Sequence, residues 1–127
     1  MLVVPDKDAD GLGAGVIGHR TLVALGKREG DVEVHLVGKG RGIHDRVERE
    51  RMRERGAGWV FVVDQGSRRG PAVVDGASVL IVDHHLSNEF PEGATVRRGV
   101  FSFVQMFSEH REYNDRYTSW YKVPSSC

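Results

Sequence analysis

Short apolar segments recur along the first two thirds of the chain, and each is followed by glycine or charged residues. Segments of this length that are rich in Val, Ile and Leu are typical of strands buried inside a sheet. We therefore predict four strands, at residues 2–4, 32–37, 59–63 and 79–82.

Stretches with the spacing of helices lie between these strands. Residues 10–26 and 43–55 carry apolar side chains at helical intervals, and a short helix is expected at residues 71–77, with Pro71 in its first turn. Strands that alternate with helices favour a parallel sheet. The expected fold class is α/β: a three-layer, Rossmann-like domain with a parallel sheet of four to five strands and its active site at the strand carboxyl ends.

The pattern changes after Val96 and divides the chain into two predicted regions. Glycine is absent beyond Gly99, while aromatic residues become frequent. Apolar residues at positions 100, 103, 104 and 107 have the spacing of an amphipathic helix. We expect residues 1–96 to form the α/β domain and residues 97–127 to form an atypical helical, aromatic-rich tail.

Composition narrows the class of protein without indicating a partner. The chain has 18 basic and 18 acidic residues, so its net charge favours neither nucleic acid nor membrane binding. The single cysteine, Cys127, cannot form an internal disulfide, which suits a reducing compartment. No apolar run has the length of a signal peptide core or a transmembrane span. We expect an intracellular, cytoplasmic protein with no membrane partner.

Acidic residues and histidines follow three of the four predicted strands. Because the carboxyl ends of parallel strands lie along one edge of a sheet, these side chains are expected to converge there. Carboxylates that share a cleft repel one another, so a cation is their natural partner. Oxygen donors with imidazoles suit Mn²⁺ or Mg²⁺, with Zn²⁺ or Co²⁺ also possible. The candidate residues are Asp6, Asp8, Asp10, Asp64, Asp83, His84 and His85.

Each candidate also has an ordinary structural explanation. Asp10 suits a helix cap, Asp64 suits a turn, and a histidine pair is common on a surface. These explanations would all have to hold at successive strand ends, which favours the metal site. The three aspartates after the first strand also copy the opening of a calcium-binding EF-hand loop, but its twelfth position is Ile17, so that motif is discarded.

The remaining charged positions are assigned ordinary roles. Residues 43–55 are heavily charged and are interpreted as the solvated face of a helix. Four further histidines have no acidic neighbour at a strand end and are interpreted as ordinary residues: His19, His35, His44 and His110.

Three ordered motifs resemble those of the DHH phosphoesterase family, and most of all its RecJ-like exonuclease branch. They are residues 5–11 (PDKDADG), 62–67 (VVDQGS) and 82–85 (VDHH). The resemblance covers about residues 2–96. It implies a metal-dependent phosphoesterase that hydrolyses a phosphodiester or phosphoanhydride bond in a phosphorylated small molecule or a single-stranded oligonucleotide.

The resemblance also implies roles for the matching residues. Two ions, preferably Mn²⁺, would be bridged by Asp64 and would activate water and stabilise charge on the phosphoryl oxygens. His85 would be a catalytic residue near the scissile phosphate, and Asp83 would hold the histidines in position. The implied metal ligands are Asp6, Asp8, Asp10, Asp64 and His84.

The chain departs from the family pattern at several places. Leu2 stands where many members have a histidine, and neither the fourth, ligand-bearing motif nor the substrate-binding second domain has a counterpart. The domain is therefore expected to be incomplete, and a non-catalytic metal- or phosphate-binding module stays open beside the hydrolase. Candidate contacts for the substrate phosphate are Lys39, Arg68 and Arg69.

A second phosphatase family offers another alternative. A strand followed by Asp6-x-Asp8 also resembles the haloacid-dehalogenase phosphatases, in which the first aspartate is the nucleophile. Their pattern has Thr or Val where this chain has Asp10, and it leaves the motif at residues 82–85 unexplained.

Overall fold

The computed structural model of the protein describes residues 1–98. In chain order the elements are β1 (Leu2–Pro5), α1 (Ala9–Ala24), a 3-10 turn (Glu29–Asp31), β2 (Glu33–Val34), α2 (Arg46–Glu54), β3 (Trp59–Val63), β4 (Ser78–Asp83) and β5 (Ala94–Arg98). The five strands of this region form one parallel sheet in the order β2-β1-β3-β4-β5. The predicted α/β class with a Rossmann-like parallel sheet is therefore confirmed.

The strand register places the carboxyl ends of β1, β3 and β4 in one row. Val63 of β3 pairs with the last residue of β1 on one side and with Val82 of β4 on the other. The ladder continues for one more residue, because the Asp6 amide donates to the Val63 carbonyl (3.0 Å) and the Asp64 amide donates to the Val82 carbonyl (2.8 Å). Asp83 ends β4, so three aspartates lie on adjacent strand ends.

Alternate strand residues face two separate apolar clusters. Ile43 and Met52 of the α2 segment pack in the larger cluster, whose strand members are Leu2, Val4, Val60, Val62, Val79 and Ile81. The smaller cluster is built on Val3, Val32 and Val63 and is covered by α1 residues Ala14, Leu22 and Val23. Full burial of a Val or Leu side chain contributes about 1.5–3 kcal/mol, so these clusters hold both helices on the sheet.

Helix α1 approaches the sheet closely because its buried positions are glycines. Gly11, Gly15 and Gly18 are all buried. A Cβ atom at Gly15 would lie 2.7 Å from the Cβ of Pro5, and one at Gly11 would lie 2.6 Å from the backbone oxygen of Asp6. The glycines therefore let α1 lie directly on the end of β1.

The segment at residues 71–77 forms turns and bends, so the short helix predicted there is wrong. Val73 and Val74 are both buried in the larger cluster. Packing of these two side chains against the sheet therefore fixes the segment without a helix. Gly76 then adopts a φ of 77°, which turns the chain into β4.

The ends of two other elements differ from the predictions. Helix α1 begins one residue early, because the Asp8 side chain caps it by accepting a hydrogen bond from the Gly11 amide (2.7 Å). Strand β2 has two residues where six were predicted, and Val34 and Leu36 are exposed. It lies at the edge of the sheet, so its side chains gain less burial than those of a central strand.

The C-terminal part of the described region contains a strand that the sequence pattern did not locate. β5 pairs in parallel with β4 and runs to Arg98, two residues beyond the predicted end of the domain. The helix predicted around residues 100–107 and the rest of the aromatic tail lie outside the described residues. Within residues 1–98, no helix is long and apolar enough to cross a membrane.

Glu48 of α2 is fully buried, which corrects the interpretation of this helix as an entirely solvated charged face. Its carboxylate accepts a hydrogen bond from the Gly38 amide (3.2 Å) and contacts His35 Nε2 (3.0 Å) and Arg51 Nη1 (3.4 Å). Burial acts to raise the pKa of Glu48, but these partners together hold the pKa below its ordinary value. An ionised carboxylate is therefore built into the contact between α2 and the chain after β2.

A single added methyl group should change the stability of the protein in opposite directions on the buried and the exposed side of α1. Gly15→Ala is expected to destabilise the protein by about 1–3 kcal/mol, because the ring of Pro5 occupies the space. Gly13→Ala meets nothing within 4 Å and should stabilise the protein by about 0.5–1 kcal/mol through helix propensity. Urea unfolding measures both variants, and equal effects would contradict the close packing of α1.

Glu48→Gln should flatten the acid side of the stability profile. A carboxyl group whose pKa is lowered by folding stabilises the native state above its unfolded pKa, here about 4.5, and this stabilisation is lost as the pH falls through the folded value. The wild type should therefore lose free energy of unfolding more steeply below about pH 5 than the variant. Urea midpoints at stepped pH measure the slopes, with exposed Glu50→Gln as the control that should follow the wild type.

Candidate metal-binding site

Asp64 lies in the sharp turn that ends β3. Its φ of 61° falls in the left-handed region that few residues other than glycine, asparagine and aspartate adopt. Gly66 follows with a φ of 106°, a conformation that glycine adopts without strain. In residues other than glycine, backbone conformations of this kind cost about 1–3 kcal/mol and cluster at functional sites. The Asp64 amide therefore still takes part in the sheet, while its carboxylate lies where the strands end.

The carboxylate of Asp64 lies beside two histidines. Its Oδ1 is 2.8 Å from His84 Nε2. The rings of His84 and His85 have centroids 4.6 Å apart, and one ligand atom from each of the three residues lies within 4.8 Å of the others. Asp64 is buried and both histidines are exposed. This histidine–aspartate cluster offers one oxygen and two nitrogen donors to an ion that approaches from solvent.

Asp83 holds His85 from the end of β4. Its Oδ1 contacts His85 Nδ1 at 2.6 Å and accepts from the His85 amide at 3.2 Å, while Oδ2 accepts from the Ser67 amide at 3.1 Å. Burial acts to raise the pKa of Asp83, but hydrogen bonds from Ser67 and His85 outweigh it and keep the pKa below its ordinary value. The same contact with Asp83 raises the pKa of His85. Asp83 therefore stays ionised and fixes the imidazole.

The charges around Asp64 favour a bound cation. The pKa of Asp64 is raised, and burial is the largest cause. The negative charges of Asp8 and Asp83 also raise this pKa, whereas His84 and His85 lower it. A carboxylate whose ionised form is opposed by burial and by like charges gains most from a neutralising cation. Carboxylate and imidazole donors both bind divalent metal ions, and this donor set does not select one of them. The donor set and its electrostatics therefore fit a metal ion.

The three aspartates after β1 lie near the histidine–aspartate cluster but outside it. Asp6 is half-buried and accepts from the amide that follows it (2.8 Å). The helix-cap role considered for Asp10 belongs to Asp8, and Asp10 is exposed in the first turn of α1. The charge of Asp8 raises the pKa of Asp64 and that of Asp6 raises the pKa of His85. Within residues 1–98, the three-ligand cluster does not include these aspartates.

The basic residues predicted to contact phosphate are exposed. Lys39 lies in the loop between β2 and α2. Arg68 and Arg69 lie in the segment after β3, where the Arg68 amide donates to the Gly66 carbonyl (2.8 Å). Both arginines therefore belong to the same segment as Asp64.

Two contacts at the site were not predicted from the sequence. The amide of Ser67 anchors Asp83, and Gln65 Nε2 donates to the Val4 carbonyl (3.3 Å), which ties the turn after β3 to β1. Both residues stand in the second motif next to Gly66. Hydrogen bonds to backbone atoms do not require a particular residue type. The only sequence signal for Gln65 and Ser67 was therefore their place in the second motif.

Comparisons with known proteins add no relative. No protein-family model matches the chain, and neither a curated protein nor a solved structure matches it.

Mn²⁺ should stabilise the protein through the histidine–aspartate cluster. Free ion at 100 times its Kd would add about 2.7 kcal/mol to the free energy of unfolding, because the ion binds the native state. Asp64→Asn keeps a residue that tolerates the left-handed φ but removes the charge, so it should abolish the shift. Exposed Asp75→Asn should retain it. Thermal melts with Mn²⁺ or with EDTA measure the shift, and an undiminished shift in Asp64→Asn would contradict the site.

Proposed function

We propose that the protein is a Mn²⁺- or Mg²⁺-dependent phosphoesterase of the DHH type. The observation that supports this most is the meeting of Asp64, His84 and His85, whose ligand atoms lie within 4.8 Å of one another. These residues come from two separate motifs, and the order of all three motifs resembles the same family. Asp83, which contacts the Ser67 amide and His85 Nδ1, also supports the proposal, because functional histidines are commonly oriented by a carboxylate.

The candidate residues would have separate tasks. Asp64 and His84 would hold metal, and Asp6, Asp8 and Asp10 would supply further carboxylates from the segment after β1. A bound divalent ion supplies Lewis-acid chemistry, which lowers the cost of negative charge on phosphoryl oxygens. The carboxylates would orient and retain two such ions at the sheet edge.

His85 would contact the substrate through its outer nitrogen. Its Nδ1 lies 2.6 Å from Asp83 Oδ1, so Nε2 is the ring nitrogen left for a phosphoryl oxygen. The Ser67 amide fixes Asp83, and the imidazole is therefore oriented before substrate arrives, which reduces the ordering cost of binding. Arg68 and Arg69 would pair with other phosphate oxygens.

The active site would lie at the strand carboxyl ends of a three-layer, Rossmann-like domain, with Lys39 as a further phosphate contact. The substrate would be a phosphorylated small molecule or a single-stranded oligonucleotide. The protein would act in the cytoplasm, for which its single cysteine is suited.

A non-catalytic metal-binding module is the second candidate. It is favoured by one observation: within residues 1–98, the cluster has three ligand residues, and Asp6 and Asp8 lie outside it. Calorimetry that finds one bound Mn²⁺ without hydrolysis would favour this module, whereas two ions with hydrolysis would favour the phosphoesterase. A trapped phospho-Asp6 would instead identify a phosphatase of the haloacid-dehalogenase type.

Hydrolysis should depend on the cluster and on its support. With Mn²⁺ and either bis(p-nitrophenyl) phosphate or an end-labelled single-stranded oligonucleotide, Asp64→Asn and His84→Gln should reduce kcat/KM to background. Asp83→Asn should lower it about 10- to 100-fold, the usual effect of losing a residue that orients a histidine. Asp75→Asn should match the wild type. Full activity in Asp64→Asn would overturn the proposal.

A further inference from the structure

The loop at residues 38–42 lies beside the candidate site. Its Arg41 carbonyl accepts a hydrogen bond from Lys7 Nζ (2.8 Å), and Lys7 stands in the aspartate-rich segment after β1. Ile43, the residue that follows the loop, reaches the turn after β3, because a Cβ at Gly66 would lie 3.2 Å from its Cδ1. The loop therefore connects the two turns that carry most of the candidate carboxylates.

One buried carboxylate contacts two residues of this loop. Glu48 Oε1 accepts from the Gly38 amide at 3.2 Å and lies 3.5 Å from Arg41 Nη1. A Cβ at position 38 would come within 2.9 Å of that oxygen, so glycine permits the approach. Arg51 contacts the same oxygen, and His35 Nε2 holds Oε2 at 3.0 Å. The carboxylate is therefore saturated by partners, and two of them belong to the loop.

Core packing alone does not require a charge at this position. Met52, one turn further along α2, is equally buried and is apolar. Burial of an ionised carboxylate is unfavourable unless it is paired and hydrogen-bonded, and an apolar side chain often fills such a space without loss of stability. What the carboxylate of Glu48 provides, and an apolar side chain would not, is the pair of contacts to Gly38 and Arg41 in the loop. The Arg41 side chain is 42% exposed, so its guanidinium is anchored and still accessible.

We propose that Glu48, supported by His35, is a positioning residue that fixes the 38–42 loop so that Lys39 and Arg41 receive a phosphate group of the substrate. This inference rests on the proposed phosphoesterase function. Glu48 contacts one Nη of Arg41 and leaves other N–H donors of the guanidinium for an anion. A loop that is ordered before binding also lowers the entropic cost of capturing substrate. Glu48 itself contacts no substrate.

Glu48→Gln separates positioning from chemistry. The amide oxygen still accepts from the Gly38 amide, but the charge that orients Arg41 is lost. We expect the KM for bis(p-nitrophenyl) phosphate to rise about tenfold while kcat changes less than about twofold, because binding weakens and the reacting groups remain. Mn²⁺ affinity should be unchanged, and exposed Glu50→Gln should leave both constants unaltered. A fall in kcat at constant KM, or no change in either, would overturn the proposal.

Lys7→Met removes the second anchor of the loop and gives an independent test if Glu48→Gln folds poorly. It should also raise KM, and the conservative Lys7→Arg, which keeps a donor, should restore most of the wild-type value. Because both anchors act on one loop, the effects of Lys7→Met and Glu48→Gln should be non-additive in the double variant. Strictly additive effects would show that the two residues do not share the loop and would overturn the proposal.

Hydrogen exchange distinguishes a failure of this role from a failure of the proposed function, because it needs no turnover. In folded Glu48→Gln, a peptide covering residues 36–44 should exchange about tenfold faster than in the wild type, while peptides from β3 and β4 should not change. Faster loop exchange in a protein that hydrolyses no phosphoester would support the hold on the loop and overturn the function. Unchanged exchange would overturn the role of Glu48 whatever the activity.

Discussion

The parallel register of β1, β3 and β4 is the constraint on which the candidate site depends. It puts Asp6, Asp64 and Asp83 on adjacent strand ends, about 4.8 Å apart from strand to strand. Like charges at this spacing repel, and more strongly where water is partly excluded. Each receives a different compensation: Asp83 has hydrogen bonds from Ser67 and His85, Asp64 has the imidazole of His84, and Asp6 has the amide that follows it.

Rigid parts of the fold support this row from both sides. Gly11 of α1 packs on the backbone of Asp6, so the helix cannot move without displacing the end of β1. On the other side, the side chains of Ile43 and Ile81 lie against Gly66 in the turn after β3. The carboxylates therefore belong to the same packed unit as the core, and their separation is set by side-chain packing and not by a mobile loop.

The sequence predicted those parts of the fold that rest on local pattern. β3 matches its prediction residue for residue, because a run of large and β-branched apolar residues leaves little choice in a buried strand. The turn segment with Val73 and Val74 could not be predicted, since their burial depends on partners far along the chain. Glu48 and His35 were interpreted as ordinary residues, because a charged sequence does not mark the one glutamate that faces inward. The motifs at the strand ends located the residues of the cluster. No sequence pattern indicated the hydrogen bond from the Ser67 amide to Asp83.

Strand β2 lies next to the buried pair of Glu48 and His35 and forms an edge of the sheet. Edge strands expose backbone groups that can pair with other chains, and a long apolar edge promotes aggregation. Here Val34 and Leu36 are exposed, but the paired strand stops after two residues and the chain turns toward Glu48. Glu33 on this strand also carries an ion pair with Arg55. The paired edge is therefore short, and the carboxylate of Glu48 anchors the chain at Gly38, a few residues after it leaves the sheet.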